Sequence, residues 1–187
     1  MGVSNNPLRI GDWMQTAGGR QYWPADPRPA EVHLDDIAAA LSKQTRYGGH
    51  CLRFYSVAEH CIHIAFHLYS RGHGHAVAFA GLMHDASEAY LVDVPRPIKY
   101  RLGNYTEIEA LNMAAIAERF GFAWPMPDAV KDADNRILLD EQAQNMAAPP
   151  APWGVEGDPL GVKLRFLAPE QAEKAFLAAF AFFGGIG

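Results

Sequence analysis

Apolar and polar positions along the chain repeat at helical rather than alternating spacing. From Val32 to Leu41 the run VHLDDIAAAL sets Leu34, Ile37 and Leu41 three and four residues apart, which predicts a short amphipathic helix. A longer helix is expected from Ser56 to about Ser70. Ser56 followed three residues later by Glu59 has the spacing of a capping box, and Val57, Cys61, Ile64 and Leu68 form its core stripe. After the break RGHGHA, the almost wholly apolar run from Ala76 to Met83 opens a buried helix expected over 76 to 91, ahead of the helix-stopping Pro95 and Pro97. Another is expected from about Thr106 to Phe120, ended by Gly121. Pro127 suits a first-turn proline opening PDAVKDADNRILLDEQAQNM, whose inward face is marked by Val130, Ile137 and Leu138. The last helix, PEQAEKAFLAAFAFF, starts at Pro169 and offers Phe176, Leu177, Phe180 and Phe183 to the core or to a neighbouring subunit. With no strand pattern of any length and no internal repeat, the fold class is all-α: a compact single-domain helical bundle.

The segments between helices complete one domain over residues 1–187. Residues 1–30 read as an irregular arm in which Trp13, Tyr22 and Trp23 pin the chain to the core or line a site. The helical core spans about 31–146, and QTRYGGHCLRFY within it is a loop turned by Gly48 and Gly49. Residues 147–168, rich in Pro and Gly, form a long surface loop before the C-terminal helix of 169–183. A length of 187 residues with 49% hydrophobic content supports one sizeable core. The formal net charge of −5 and scattered Lys and Arg argue against a duplex-binding surface. The N-terminus MGVSNNPLRIGDW lacks an apolar signal-peptide core, and no run approaches membrane-spanning length, so a cytoplasmic protein is expected. Cys51 and Cys61 are too few for a disulfide framework and read as reduced packing residues.

Against this apolar background a few polar residues stand out. His84 and Asp85 are adjacent at the end of the apolar run, where an ionised carboxylate costs several kcal/mol unless a cation or strong donors meet it. Glu88 lies one helical turn beyond His84, and Asp93 follows before the prolines. On the flank of the 56–70 stripe stand His60, His63 and His67. Spacing does not choose among them, although His60 and His67 lie nearer the stripe, and a solvated helix face is preferred for His63 and His67. In the helix after Pro127, Asp134 falls between Val130 and Ile137 and Glu141 shares its face, whereas Asp132 and Asp140 are expected to be solvated. One His from the first long helix, His84-Asp85 and Asp134 make two imidazoles and two carboxylates. That set suits one divalent metal (Mn, Co, Zn, Ni, Fe or Mg) and leaves positions for water and a substrate oxygen.

The order His60, His84-Asp85, Asp134 resembles the HD-domain metal-dependent phosphohydrolases. VAEHC around His60 looks like that family's first-ligand helix, HDASEAYLVDVPRPIKY is similar to the corresponding stretch of the bacterial 5'-deoxynucleotidase branch, and DADNRIL carries the last ligand. The resemblance covers roughly residues 45–145 and implies a helical bundle around a metal bound by His60, His84, Asp85 and Asp134. It implies phosphate-ester hydrolysis of a nucleotide by attack of a metal-bound water on phosphorus, with Glu88 orienting or deprotonating that water and Asp93 contacting the sugar or protonating the leaving oxygen. Arg46 matches a phosphate-holding arginine, whose alternative is a plain surface residue, and Tyr47 and Lys99 complete the implied substrate site. The deoxynucleotidase branch has tryptophan where this chain has Tyr47, and the first 30 residues and the 147–168 loop match it poorly, so substrate identity stays open. Expected first are 5'-deoxyribonucleoside monophosphates. Deoxynucleoside triphosphates such as dATP come second, on a likeness to phage-type HD hydrolases, and a non-catalytic nucleotide-binding module third. The Phe-rich last helix makes a homodimer reasonable.

Overall fold

The chain enters the bundle through a short, largely buried helix. In the computed structural model, which describes residues 8–184, α1 (Leu34–Lys43) buries Ile37, Ala38 and Leu41 and places Asp35 and Asp36 in its first turn, where they complement the helix dipole. α2 (Val57–Ser70) begins where the sequence places it, with the Ser56 hydroxyl accepting the Glu59 N–H at 3.1 Å. The Glu59 carboxylate serves the far end of the chain instead of closing the capping box. It is buried and accepts the N–H groups of Arg165, Phe166 and Leu167 at 2.6, 3.0 and 2.7 Å. Burial opposes its charge, but the His63 ring and these backbone donors outweigh that and hold its carboxyl below the usual range. His63 is therefore not on a solvated face: its Nε2 lies 3.3 Å from Glu59 and its side chain is largely covered, because the returning loop needs the buried carboxylate beneath it.

α3 (Gly74–Met83) is apolar on all sides and lies between α2 and α8 (Pro169–Gly184). Gly81 sets how closely α2 approaches it, since a Cβ there would meet Leu68 Cδ1 at 2.7 Å and Ile64 Cγ2 at 3.2 Å. Phe176 and Phe183 of α8 are buried in the core, while Leu177 and Phe180 pack partly buried at its edge. The single helix expected over 76–91 is in fact two. α3 stops at Met83, and α4 covers only Glu88–Leu91. His84 Nδ1–H donates to Gly81 O at 2.8 Å, taking the carbonyl that an unbroken helix would offer to Asp85 N–H. The backbone tightens into three-residue bonds, Ala86 N–H to Met83 O and Glu88 N–H to Asp85 O, at 3.0 and 2.9 Å.

α5 (Arg96–Lys99) follows the prolines, and α6 (Tyr105–Phe120) ends at Gly121, whose φ of +74° is the left-handed conformation that glycine adopts at no steric cost. α7 (Asp128–Asn145) follows Pro127. Asp132 is exposed as expected, paired with Arg136 at 2.9 Å, but Asp140 is not solvated. It is buried and accepts the N–H of Leu160 and Gly161 at 2.7 and 3.0 Å, because the 147–168 loop folds back over α7 and buries Leu160, Leu164 and Leu167. Cys51 and Cys61 are free thiols.

The N-terminal arm holds a minimal antiparallel hairpin, β1 (Met14–Gln15) and β2 (Gln21–Tyr22), too short to leave an alternating pattern. Tyr22 pins the arm: its ring stacks on Tyr90 at 3.7 Å and its hydroxyl donates to Asn112 Oδ1 at 2.6 Å. Trp13 is half exposed, and Trp23 sits under Arg9. Residues 1–7 of the arm, and with them half of the stretch read for a signal peptide, lie outside the described residues. Among the described residues no helix is long and apolar enough to cross a membrane.

Candidate metal centre and cleft

Three elements bring donor atoms together: His60 from mid-α2, His84 and Asp85 from the tight turn after α3, and Asp134 from α7, with His84 shared between a His60–His84–Asp134 group and one that holds Asp85. His60 Nε2 lies 3.3 Å from His84 Nε2, 3.2 Å from Asp134 Oδ1 and 3.7 Å from Asp85 Oδ2. His84 Nε2 lies 3.1 Å from Asp85 Oδ2 and 3.7 Å from Asp134 Oδ1. Metal–ligand bonds of about 2.0–2.2 Å separate neighbouring ligand atoms by roughly 3.0–3.5 Å, so the three shorter spacings are those of a coordination shell and the two of 3.7 Å are slightly wider. The cluster is a potential divalent-metal site.

Both rings are aimed from behind. His60 Nδ1–H donates to Glu141 Oε1 at 2.7 Å and His84 Nδ1–H to Gly81 O at 2.8 Å, which leaves each Nε2 lone pair facing the centre. Electrostatics favour positive charge at that point. For His60, burial and Arg46 oppose protonation, yet Glu141 and Asp134 outweigh them and raise its pKa; for His84, Asp85 overcomes burial and raises it further. Burial likewise works against the charges of Asp85 and Asp134, but the facing imidazoles win, holding Asp85 down at about 2 and Asp134 well below the usual carboxylate range. Donor set, spacing and charge thus all fit a divalent cation.

Two residues beside the centre, Glu141 and Cys61, are given no part in it by the sequence. Glu141 is fully buried, its pKa held down at about 2 because His60 and Arg46 outweigh its burial; the face it shares with Asp134 was the available signal. Cys61 forms a second, overlapping triad with His84 and Asp85. Burial pushes its thiol up to about 11, and a neutral thiol is a poor ligand, so the His60–His84–Asp134 side is the better match.

A cleft of about 930 Å³ opens onto Asp85 and Asp134, and Arg46, Tyr47, Glu88, Asp93 and Lys99 all line it. Arg46 is no surface arginine. Its side chain is 11% exposed, with Asp85, Asp93 and Glu141 at 3.7–3.8 Å, beyond hydrogen-bond distance, and its Nε has no partner. Glu88 is 4% exposed and its Oε2 is buried without a partner. Burial first, then the charges of Asp85 and Asp93, raise its pKa well above the usual range. The three-residue turn sets Glu88 over Asp85 rather than over His84, as an unbroken helix would have done. The Tyr47 hydroxyl donates to Glu141, and Lys99 Nζ is 2.6 Å from Glu109, so both are already engaged.

Asp93 is raised by burial and by Asp85, against the pull of Arg46. It is aimed by a strained backbone: Val92, 61% exposed, has φ +72° and ψ 149°. Gln44 braces this corner, accepting Asp93 N–H at 3.0 Å and donating to Glu88 O at 2.8 Å. Such strain is typically about 1–3 kcal/mol. Val92→Gly, which relieves it and loses little packing, is expected to raise unfolding stability by roughly 1 kcal/mol in a urea titration; a destabilised variant would show that no strain resides there. Also on the cleft, and unanticipated, are Arg96, Tyr100, Arg136 and Trp153.

No established family profile matches the chain. It is similar to the uncharacterized protein YfdR of Escherichia coli (strain K12), 33% identical over 171 residues that cover 90% of this chain and 93% of that one. It is also similar to the uncharacterized protein RCAP_rcc00048 of Rhodobacter capsulatus, 31% identical over 186 residues covering 89% and 92%. Near-complete coverage at these identities means that the chain belongs to the family of YfdR and RCAP_rcc00048.

Proposed function

We propose that the protein is an HD-domain-type, metal-dependent phosphohydrolase acting on nucleotides, with 5'-deoxyribonucleoside monophosphates as first substrates. One observation carries the reading. The two carboxylates of a His/Asp donor cluster and a buried arginine side chain without a hydrogen bond face the same cleft as a buried carboxylate oxygen that has no partner. His60, His84, Asp85 and Asp134 would hold one divalent ion, whose chemistry when bound is Lewis acidity toward phosphoryl oxygen and water. Arg46 would hold the phosphate, its fork oriented by Asp85, Asp93 and Glu141. Glu88, made more basic by burial and by its like-charged neighbours, would take a proton from the attacking water. As the P–O bond to the sugar breaks, the raised pKa of Asp93 suits it to protonate the leaving oxygen. Lys99 and Tyr47 would border the substrate through the aliphatic stem and the ring.

A second reading, release of triphosphate from dNTPs, draws support from the cleft volume and from Arg96 and Arg136 on its wall. A panel of dNMPs and dNTPs offered to the metal-loaded protein separates the two by the product: orthophosphate with nucleoside, or triphosphate. Turnover of neither leaves the nucleotide-binding module. Arg46→Ala is expected to raise KM about tenfold or more at unchanged metal content, and unchanged kinetics would remove Arg46 from the site. We also expect a cytoplasmic homodimer. The exposed rings of Phe66, Tyr69 and Phe182, 5.5–6.0 Å apart beside α8, are a suitable apolar surface, and light scattering reads the mass.

A further inference from the structure

The loop of 147–168 is anchored unevenly. Its second half is tied to the body by Asp140 at Leu160 and Gly161, by Gln144 at Leu164, and by Glu59 at residues 165–167. Among the described residues, no hydrogen bond ties 147–157 to anything, yet Trp153 and the three residues after it line the cleft. Gly154, at φ +68°, makes the turn that leaves the indole there.

The Trp153 ring is 5.7 Å from Tyr47 and tilted 52° to it, so the pair is not stacked, and the indole remains 37% exposed at the cleft. Tyr47 cannot swing freely, because its hydroxyl donates to Glu141, which in turn holds His60. An aromatic shelf therefore begins one side chain away from the donor cluster. It is joined to a polar site by a short, fixed path, and it belongs to a part of the chain where the sequence resemblance is weak.

Resting on the nucleotide reading above, we infer that Trp153 stacks on the substrate's base while the phosphate sits at Arg46, so that the 147–168 loop sets the requirement for a nucleoside. A planar heteroaromatic base fits such a shelf, and stacking tolerates any base, so broad base acceptance is expected. Truncating a stacking aromatic to alanine typically weakens binding about 5- to 150-fold.

The test measures equilibrium binding of dAMP and of 2-deoxyribose 5-phosphate by calorimetry for the parent, Trp153→Ala and Trp153→Phe, with hydrolysis of both followed in parallel. The exposed, unbonded indole makes both variants compatible with folding. Expected are a loss of about tenfold or more in dAMP affinity for Trp153→Ala, near-complete retention in Trp153→Phe, and no change for the base-free sugar phosphate. Equal loss for both compounds, or no loss for either, overturns the shelf. Binding of dAMP that depends on Trp153 without any hydrolysis upholds the shelf and overturns the monophosphate-hydrolase reading, while a parent that binds no dAMP overturns both.

Discussion

Glu88→Gln is expected to leave a folded, metal-loaded protein whose kcat is about a hundred- to ten-thousand-fold lower. The substitution is nearly isosteric and keeps one acceptor, so it separates lost basicity from lost packing. Glu88 is buried with one oxygen unpartnered, an arrangement that costs stability unless something in the working state meets that oxygen, and it lines the cleft rather than bonding across the bundle. Measuring kcat together with metal stoichiometry decides the role. Activity within a few-fold of the parent would exclude Glu88 from proton transfer, and a metal-free Gln variant would make it a ligand.

Asp134→Ala is expected to empty the metal site and abolish hydrolysis, whereas Asp132→Ala, two residues away on the same helix, keeps both. The contrast rests on direction. Asp134 Oδ1 is 3.2 Å from His60 Nε2, while Asp132 is exposed and paired only with Arg136. Without Asp134 the imidazoles lose one of the three carboxylates, Asp85, Asp134 and Glu141, that favour positive charge on them, and a shell reduced by one ligand holds metal much more weakly. Elemental analysis of both variants purified without chelators reads the outcome. Full occupancy in Asp134→Ala would mean that the cation sits on the Cys61–His84–Asp85 side instead.

Periodicity and local chemistry made much of the fold legible. The Ser56 cap, the stop at Gly121 and the opening of α7 behind Pro127 depend on neighbours a few residues away, and they lie within a residue of where the sequence puts them. The inward turn of Asp134 follows from the spacing of Val130 and Ile137 in the same way. Two of the misses share one cause: each is a polar group bonded to a partner distant in sequence. Asp140 is buried because Leu160 and Gly161 return over α7, and Glu59 gives its carboxylate to residues 165–167 instead of to its own cap. The helix break at His84 depends on a ring turned back to Gly81 O and facing the donors of α2 and α7. By itself the sequence determined the all-α class, most of the longer helices and the set of residues able to carry metal chemistry, because those follow from periodicity and residue type. Which histidine of α2 faces the centre, that Glu141 orients it, and that Trp153 reaches the cleft were decided only in the tertiary structure. Those facts depend on where chain segments roughly twenty to a hundred residues apart meet, and no local pattern encodes such a meeting.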